Sequence, residues 1–217
     1  MNRRLVPMRE DCVYTSCYCE ENVWKLCDSV KKQRTAPLEH LFVIFISNET
    51  RTVPLWKQKS GHGDLPVIWD YHVILLQADQ LDSLVYDLDS TLSFPCSLKL
   101  YAAQALRSES DIRPEYHRKF RVVPADSFLL NFASDRSHMR NSDGSWKMPP
   151  PTVPDEPRWF HQHGPCHRLG CGLQSQPLPA EIHWKHLISL LLILFFSSSK
   201  IVIVVVLRFF CLWAPDV

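Results

Sequence analysis

The chain has 217 residues, of which 46% are hydrophobic and 22% are charged, and its formal net charge is +1. This composition is ordinary for one domain of moderate size and supplies enough apolar side chains for a core. Because 24 basic residues nearly balance 23 acidic ones, charge gives no reason to expect a nucleic acid or another polyanion as a partner.

Eight cysteines are present. A disulfide framework is typical of small secreted chains, and we find no signal-peptide pattern at the start, so we expect reduced thiols. Most free cysteines are small buried apolar residues, and only a thiol that can ionise is a catalytic candidate.

Residues 1–11 lack periodicity and are predicted to form a loose arm. The first regular element is an amphipathic helix over residues 20–32, whose apolar positions recur every three or four residues. Acidic residues open this helix and basic residues close it, as the helix dipole favours. The helix therefore begins just after Cys19.

Several strand-like runs follow, and their short polar connectors leave no room for crossover helices. This spacing predicts an antiparallel meander, and two later helices and a further strand complete an α+β domain. Asp126 could cap the second of these helices. The predicted strands are residues 41–47, 52–57, 67–77, 84–88 and 116–123, and the later helices are residues 98–108 and 126–132.

The composition changes after Asn141. Turn residues there precede a proline-rich stretch at 149–157, which is incompatible with a helix or a central strand. We therefore divide the chain into a catalytic domain (residues 1–151), an irregular segment that contains Pro, His and Cys (residues 152–186) and a hydrophobic tail (residues 187–213).

Amide hydrolysis by a thiol needs a thiolate, a histidine that accepts its proton, and a group that orients this histidine. Cys19 is predicted at a helix start, where unpaired backbone N–H groups and the helix dipole lower a thiol pKa and stabilise an oxyanion. Cys17 has a weaker claim. Cys27 falls in the helix body among apolar neighbours, where cysteine usually serves core packing.

His72 lies in a largely apolar run, where an imidazole bonded to a backbone carbonyl is the ordinary explanation, and spacing alone favours it. If this run and the next are antiparallel neighbours, His72 and Asp87 share a face within hydrogen-bonding reach. Asp89 shares that face as well, so spacing leaves both carboxylates open for the orienting role.

Several stretches resemble the protein N-terminal glutamine amidohydrolase family, of which the WDYHV pentapeptide is a signature. The similarity covers roughly residues 11 to 151 in the expected order. The matching stretches are SCYCEENVWKLC at 16–27, WDYHV at 69–73, YDLD at 86–89, FPC at 94–96, RKFRV at 118–122 and NFASDRSHM at 131–139.

This resemblance implies a transglutaminase-like, papain-related α+β fold, with an antiparallel twisted sheet flanked by helices. It also implies a Cys-His-Asp triad, which the matching motifs place on Cys19, His72 and Asp87. The implied reaction converts an N-terminal glutamine of a protein or peptide into glutamate, releases ammonia and feeds the arginylation branch of the N-degron pathway.

We accordingly expect a cytoplasmic and nuclear monomer without cofactor or metal, whose partners are substrates with an N-terminal glutamine. Restriction to the N-terminus requires an acceptor for the free α-ammonium group, since an unpaired buried acceptor discriminates strongly. Glu20, Glu21 and Asp70 are acidic candidates that the sequence does not rank.

Two other features have ordinary explanations. The histidines and cysteines between residues 161 and 171 match no zinc-binding spacing, so we expect no metal there. The basic run at 118–121 alternates with apolar residues, which predicts a solvated strand face. The histidines and cysteines between residues 161 and 171 are His161, His163, Cys166, His167 and Cys171.

The tail does not follow the family pattern, which continues past the proline-rich stretch into a further polar and aromatic segment. Residues 187–196 and 201–207 are almost entirely apolar and flank Lys200. A membrane helix needs about 20 apolar residues, and a central lysine costs about 3 kcal/mol. The tail has three possible explanations: a membrane anchor, a segment packed on the domain, or an altered gene product whose tail was never selected to fold. We favour the third.

Two alternative functions follow from these observations. The same triad could serve a transglutaminase or a cysteine protease, which also form a thioester with the substrate. If the divergent tail leaves the triad poorly held, the chain is instead a catalytically impaired, membrane-associated interaction protein.

Overall fold

A computed structural model of the protein describes residues 5–78, 82–134, 136 and 139–151, and the backbone of Ile182–His183. An antiparallel sheet forms the centre of these residues, with helices on both faces, which confirms the predicted α+β class. The helices are α1 (Cys19–Gln33), α2 (Leu98–Tyr101), which continues as a π-helical turn (Ala102–Leu106), and α3 (Ala125–Asn131). The strands are β1 (Leu41–Ser47), β2 (Val53–Leu55), β3 (Val67–Trp69), β4 (His72–Gln77), β5 (Leu84–Tyr86), β6 (Cys96–Ser97), β7 (Lys119–Pro124) and β8 (Ile182–His183).

The main sheet has the strand order β6-β5-β4-β1-β7-β8, and every neighbouring pair is antiparallel. The meander prediction is confirmed for β4, β5 and β6, which are consecutive in the chain and adjacent in the sheet. It is wrong for β2 and β3, which lie between β1 and β4 in the sequence but form a separate two-stranded sheet.

The predicted strand over residues 67–77 is divided between the two sheets. Trp69 pairs with Val53 in the small sheet, whereas His72 pairs with Ile46 in the main sheet. Asp70 and Tyr71 make the crossing. Because both halves are equally apolar, the hydrophobic pattern carries no sign of this break.

Side chains of the central strands alternate between two cores, as the period of a strand requires. One core packs Val43 and Val73 against α1 and α3, and the other packs Ile44 and Ile74 against α2 and the small sheet. Burial on both faces explains why these strands read as nearly continuous apolar runs.

Three local predictions differ from the structure. Residues 5–11 are not loose, because Leu5 and Val6 are buried and the Arg9 guanidinium donates to two backbone carbonyls. Asp126 does not cap α3, which begins after Pro124. Ile182–His183 pairs with β7 inside a segment that was predicted to be irregular.

The predicted solvated face of residues 118–121 is wrong for Arg118, whose exposed fraction is 1%. Its guanidinium donates to the carbonyls of Leu106 and Arg107, where the helical segment over residues 98–106 ends, and to the carbonyl of Pro54 in β2. Its backbone N–H donates to the Glu109 carboxylate. Arg118 thus joins the end of that helical segment to the small sheet.

None of the helices in the described part of the chain has the length and apolar content needed to cross a membrane. The histidine and cysteine cluster at 161–171 and the hydrophobic tail at 187–213 lie outside the described residues. The division of the chain at residue 151 stays a prediction.

Replacing Arg118 by Met should lower the free energy of unfolding by about 3–5 kcal/mol, because it leaves three buried carbonyls without their donor and the Glu109 carboxylate without its paired charge. Urea denaturation followed by circular dichroism measures this loss. The matched control is Lys32→Met, which breaks an exposed ion pair with Asp28 and should cost less than about 0.5 kcal/mol. Equal effects of the two substitutions would contradict a structural role for the buried guanidinium.

Candidate active site

The loop before α1 is fixed by the helix itself. The side-chain amide of Asn22 donates to the carbonyl of Thr15 at 2.8 Å, and its oxygen accepts from the backbone N–H of the same residue at 2.9 Å. Cys17 adopts a positive φ of 67°, which turns the chain into the helix. This turn makes Cys19 the first residue of α1.

The thiol of Cys19 is buried beside carboxylates. Its sulfur lies 3.5 Å from Oε2 of Glu20. Burial raises the pKa of this thiol well above the usual 9.0, and the negative charges of Glu20 and Asp89 act in the same direction, against a hydrogen bond from the backbone of Val73. The expectation that the helix start lowers the pKa of Cys19 is therefore wrong, because the net shift is upward.

His72 is the first residue of β4 and is fully buried. Its ring stacks on Trp69, with the ring centres 5.2 Å apart, and its Nε2 lies 3.1 Å from Oδ1 of Asp87. No described residue hydrogen-bonds to its Nδ1. The explanation of His72 as a core imidazole bonded to a backbone carbonyl is thus wrong, since its partner is a carboxylate.

Asp87 directly follows β5 and is enclosed by hydrogen-bond donors. Oδ1 accepts from His72 and from the backbone N–H of Asp89, whereas Oδ2 accepts from the Tyr101 hydroxyl at 2.8 Å and from the Gln58 amide at 3.3 Å. The donors come from β4, α2 and the loop after β2, so the carboxylate lies where these elements meet.

The charges of His72 and Asp87 stabilise each other. Burial raises the pKa of Asp87, but the charge and hydrogen bond of His72 and the bonds from Tyr101 and Asp89 outweigh it, so the net shift is downward. Burial lowers the pKa of His72, but Asp87 and the more distant Asp89 and Glu20 outweigh it, so the net shift is upward. Because an ionised carboxylate only accepts, Nε2 of His72 carries the proton of this hydrogen bond.

Asp89, the rival for the orienting role, has a different partner. Its Oδ1 accepts from the Tyr14 hydroxyl at 2.5 Å. Burial raises the pKa of Asp89, although His72 and Tyr14 act in the opposite direction. The geometry thus resolves the ambiguity that spacing leaves, because Asp87 is the carboxylate that hydrogen-bonds to the imidazole.

A cavity of about 190 Å³ opens onto the sulfur, and we call it the Cys19 cavity. It lies between the loop before α1, the crossing between the two sheets and the end of the YDLD motif. His72 and Asp87 are not part of its wall, but Val73, which contacts the thiol, is the next residue after His72. The lining residues are Cys17, Cys19, Ile68, Trp69, Asp70, Tyr71, Asp89 and Met139.

The acidic candidates from the sequence have different surroundings. Glu21 forms a bidentate ion pair with Arg136, whose Nε and Nη2 donate to the two carboxylate oxygens at 2.6 and 2.7 Å. Glu20 interacts with the thiol and with the Tyr71 hydroxyl, and burial raises its pKa. Asp70 is exposed at the cavity and accepts from the backbone N–H of Tyr71.

Sequence reasoning missed the residues that hold the pair in place. Tyr101 and Gln58 donate to Asp87, and Trp69 packs on the imidazole. Trp69 lies in the WDYHV motif, so its position next to the histidine is a usable signal. Tyr101 and Gln58 carry no local signal, because their contacts depend on how α2 and the loop after β2 pack against the main sheet.

His72, Asp87 and Asp89 also present ligand atoms within 4.8 Å of one another, a donor set that a metal ion could use. Nε2 of His72 and both oxygens of Asp87 are already hydrogen-bonded, so an ion would have to replace these bonds. The arrangement therefore fits a hydrogen-bonded charge pair better than a metal centre.

Alkylation of Cys19 by iodoacetamide should be slow near neutral pH and should rise about tenfold per pH unit up to about pH 9, because only the thiolate reacts. Peptide mapping by mass spectrometry after brief labelling measures the rate at this residue. The exposed Cys17 on the same tryptic peptide is the internal control. A rate that no longer increases with pH above neutrality would reveal a preformed thiolate and contradict the upward shift of the Cys19 pKa.

Comparison with known proteins identifies relatives of this chain. A model of the N-terminal glutamine amidase family matches residues 14–159. Protein N-terminal glutamine amidohydrolase from Danio rerio is 59% identical over 151 residues, which cover 69% of this chain and 75% of that protein. The protein of the same name from Homo sapiens is 54% identical over 149 residues (68% and 73%), and the one from Drosophila melanogaster is 55% identical over 152 residues (69% and 74%).

These matches confirm the resemblance that the sequence motifs indicate. The family match spans the WDYHV and YDLD motifs and includes Cys19, His72 and Asp87. The chain belongs to the N-terminal glutamine amidase family.

Proposed function

We propose that this protein hydrolyses the side-chain amide of an N-terminal glutamine in proteins or peptides, producing glutamate and ammonia. One observation carries the chemistry: Nε2 of His72 is fixed on Asp87, whereas Nδ1 makes no hydrogen bond to a described residue, beside the strand that contacts Cys19. A histidine held in this way can take a proton from a thiol. The names of the relatives indicate which amide is the substrate.

In the first step, the Cys19 thiol gives its proton to Nδ1 of His72, and its sulfur attacks the side-chain carbonyl carbon of the glutamine. The carbonyl oxygen becomes an oxyanion, which the backbone N–H groups at the start of α1 stabilise. The imidazolium then protonates the departing nitrogen, so ammonia leaves and a thioester forms.

In the second step, His72 accepts a proton from a water molecule, whose oxygen attacks the thioester carbon. The carbon–sulfur bond breaks, glutamate is released and the thiol regains its proton. Asp87 stays ionised throughout, because four donors surround it. Its role is to hold the ring orientation and to stabilise the imidazolium.

We propose a transglutaminase-like, papain-related fold, and the support for it is that Cys19 begins a helix, His72 begins a strand and Asp87 follows the neighbouring strand. We propose the arginylation branch of the N-degron pathway as the process that the reaction feeds. We further propose a monomer in the cytoplasm and nucleus.

Purified full-length protein should convert a Gln-initiated peptide to the Glu-initiated form, which is about one mass unit heavier, with release of ammonia. Cys19→Ala should lower the rate by about three orders of magnitude or more, because it removes the nucleophile. Mass spectrometry and an ammonia assay follow the reaction. Cys12→Ser, which alters a thiol outside the cavity wall, is the matched control and should retain turnover.

The other outcomes of this assay separate the alternatives. Cross-linking of the peptide to an added amine indicates a transglutaminase, and backbone cleavage indicates a protease. A folded protein that turns over no Gln-initiated peptide contradicts the proposed reaction and supports the alternative of a catalytically impaired interaction protein.

Tyr101→Phe should lower kcat about tenfold with little change in KM, because it removes one hydrogen bond from Asp87 and no contact in the cavity wall. The lost bond normally lowers the pKa of Asp87. Since Asp87 is needed in its ionised form, its raised pKa should move the acid-side loss of activity to higher pH. The pH profile of kcat/KM measures this shift.

The matched control for this variant is Tyr86→Phe, which removes a hydroxyl that is bonded to Gln77 instead of Asp87. It should leave the acid limb of the profile in place. If both variants move the acid limb equally, Tyr101 does not act through Asp87.

A further inference from the structure

Asp89 is a carboxylate on the cavity wall that the proposed reaction does not use. Only 6% of this residue is exposed, and the Tyr14 hydroxyl holds its Oδ1. Among the described residues, no donor reaches its second oxygen, Oδ2. The Cys19 cavity therefore contains a buried, fixed acceptor with unused capacity.

The cationic groups near Asp89 leave this capacity unused. The positive charge of Lys59 acts on Asp89, but its Nζ lies over the Tyr14 ring, 4.9 Å from the ring centre, and forms no ion pair with Asp89. Its backbone N–H donates to the Asp89 carbonyl at 2.7 Å and so fixes the main chain instead of the carboxylate. His72 is bonded to Asp87. A buried carboxylate in this state is well suited to a cationic ligand.

The other acidic groups near the thiol are less suitable. Glu21 is occupied by Arg136. Glu20 is bonded to Cys19 and Tyr71 and does not line the cavity. Asp70 lines the cavity but is exposed. An exposed carboxylate gains little from pairing with a cation, because water already solvates it.

We propose that Asp89 binds the α-ammonium group of the substrate and thereby restricts the enzyme to glutamine at the N-terminus. This inference rests on the proposed function, since it takes the glutamine amide to be at Cys19. In glutamine only Cγ, Cβ and Cα separate the reacting carbon from the α-nitrogen. Both ends of such a short group can therefore contact residues of one small cavity.

The size of the cavity agrees with this assignment. Its volume of about 190 Å³ is below the roughly 300–1,000 Å³ of pockets for drug-sized ligands, so it suits one residue better than a peptide segment. An internal glutamine would place a neutral amide and the preceding residue against Asp89. The carboxylate would then lose water without gaining a charged partner, which strongly disfavours that complex.

Binding at Asp89 would also help the chemistry. The negative charge of Asp89 is one of the causes that raise the pKa of Cys19. An ammonium group paired with this carboxylate neutralises it and so favours loss of the thiol proton to His72. Recognition of the N-terminus and activation of the nucleophile thus share one residue.

The test compares two peptides that differ only in the α-amine: a Gln-initiated peptide and its analogue with hydrogen in place of that amine. Asp89→Asn should lower kcat/KM for the first peptide about 10- to 100-fold and change the value for the analogue less than about threefold. The wild-type preference for the amine should therefore disappear. Asp70→Asn, the matched variant on the same cavity wall, should retain the preference.

Two outcomes would overturn the assignment to Asp89. An equal loss for both peptides would show that Asp89 supports the structure of the site instead of binding the amine. Loss of the preference in Asp70→Asn alone would assign the amine to Asp70. Alkylation of Cys19 at the wild-type rate or faster in Asp89→Asn verifies that the site is intact.

Binding in the Cys19→Ala background separates this inference from the proposed reaction. Calorimetry should show that the Gln-initiated peptide binds more tightly than its analogue, and that adding Asp89→Asn removes this difference. If wild-type protein binds the peptide with this preference but releases no ammonia, only the proposed reaction fails. If ammonia is released but Asp89→Asn retains the preference, only the role of Asp89 fails.

Discussion

The buried carboxylate of Asp87 is the constraint on which the rest of the site depends. A buried charge is tolerated only when it is paired and hydrogen-bonded. Here the donors arrive from β4, α2, the loop after β2 and the backbone that follows Asp87 itself. The main sheet, α2 and the loop after β2 must therefore pack together before this charge is satisfied, so the site and the fold form together.

Arg118 extends this dependence away from the site. It binds the carbonyls at the end of the helical segment over residues 98–106, and the same segment carries Tyr101, which donates to Asp87. The sequence pattern placed Arg118 on a solvated face because charged residues rarely lie in a core. Its burial follows from carbonyls that a helix end leaves without donors, and only the three-dimensional arrangement shows where those carbonyls lie.

The sequence predicts local structure well and long-range contacts unevenly. The bounds of β1 agree with prediction, and α1 differs by one residue at each end, because periodicity and end charges are local signals. The proximity of His72 to a carboxylate was predictable from two adjacent antiparallel strands, but the choice of Asp87 over Asp89 was not. The division of residues 67–77 between two sheets and the donors Tyr101 and Gln58 were not, because they depend on packing between distant segments.

The least predictable property is the protonation of Cys19, since a helix start favours the thiolate whereas burial beside Glu20 and Asp89 opposes it. The second effect is larger, so the net shift of the Cys19 pKa is upward. If Asp89 binds the α-ammonium group as proposed, that positive charge opposes the upward shift, whereas an uncharged analogue leaves it in place. The proposed role of Asp89 thereby couples selection of a free amine to formation of the thiolate in one cavity.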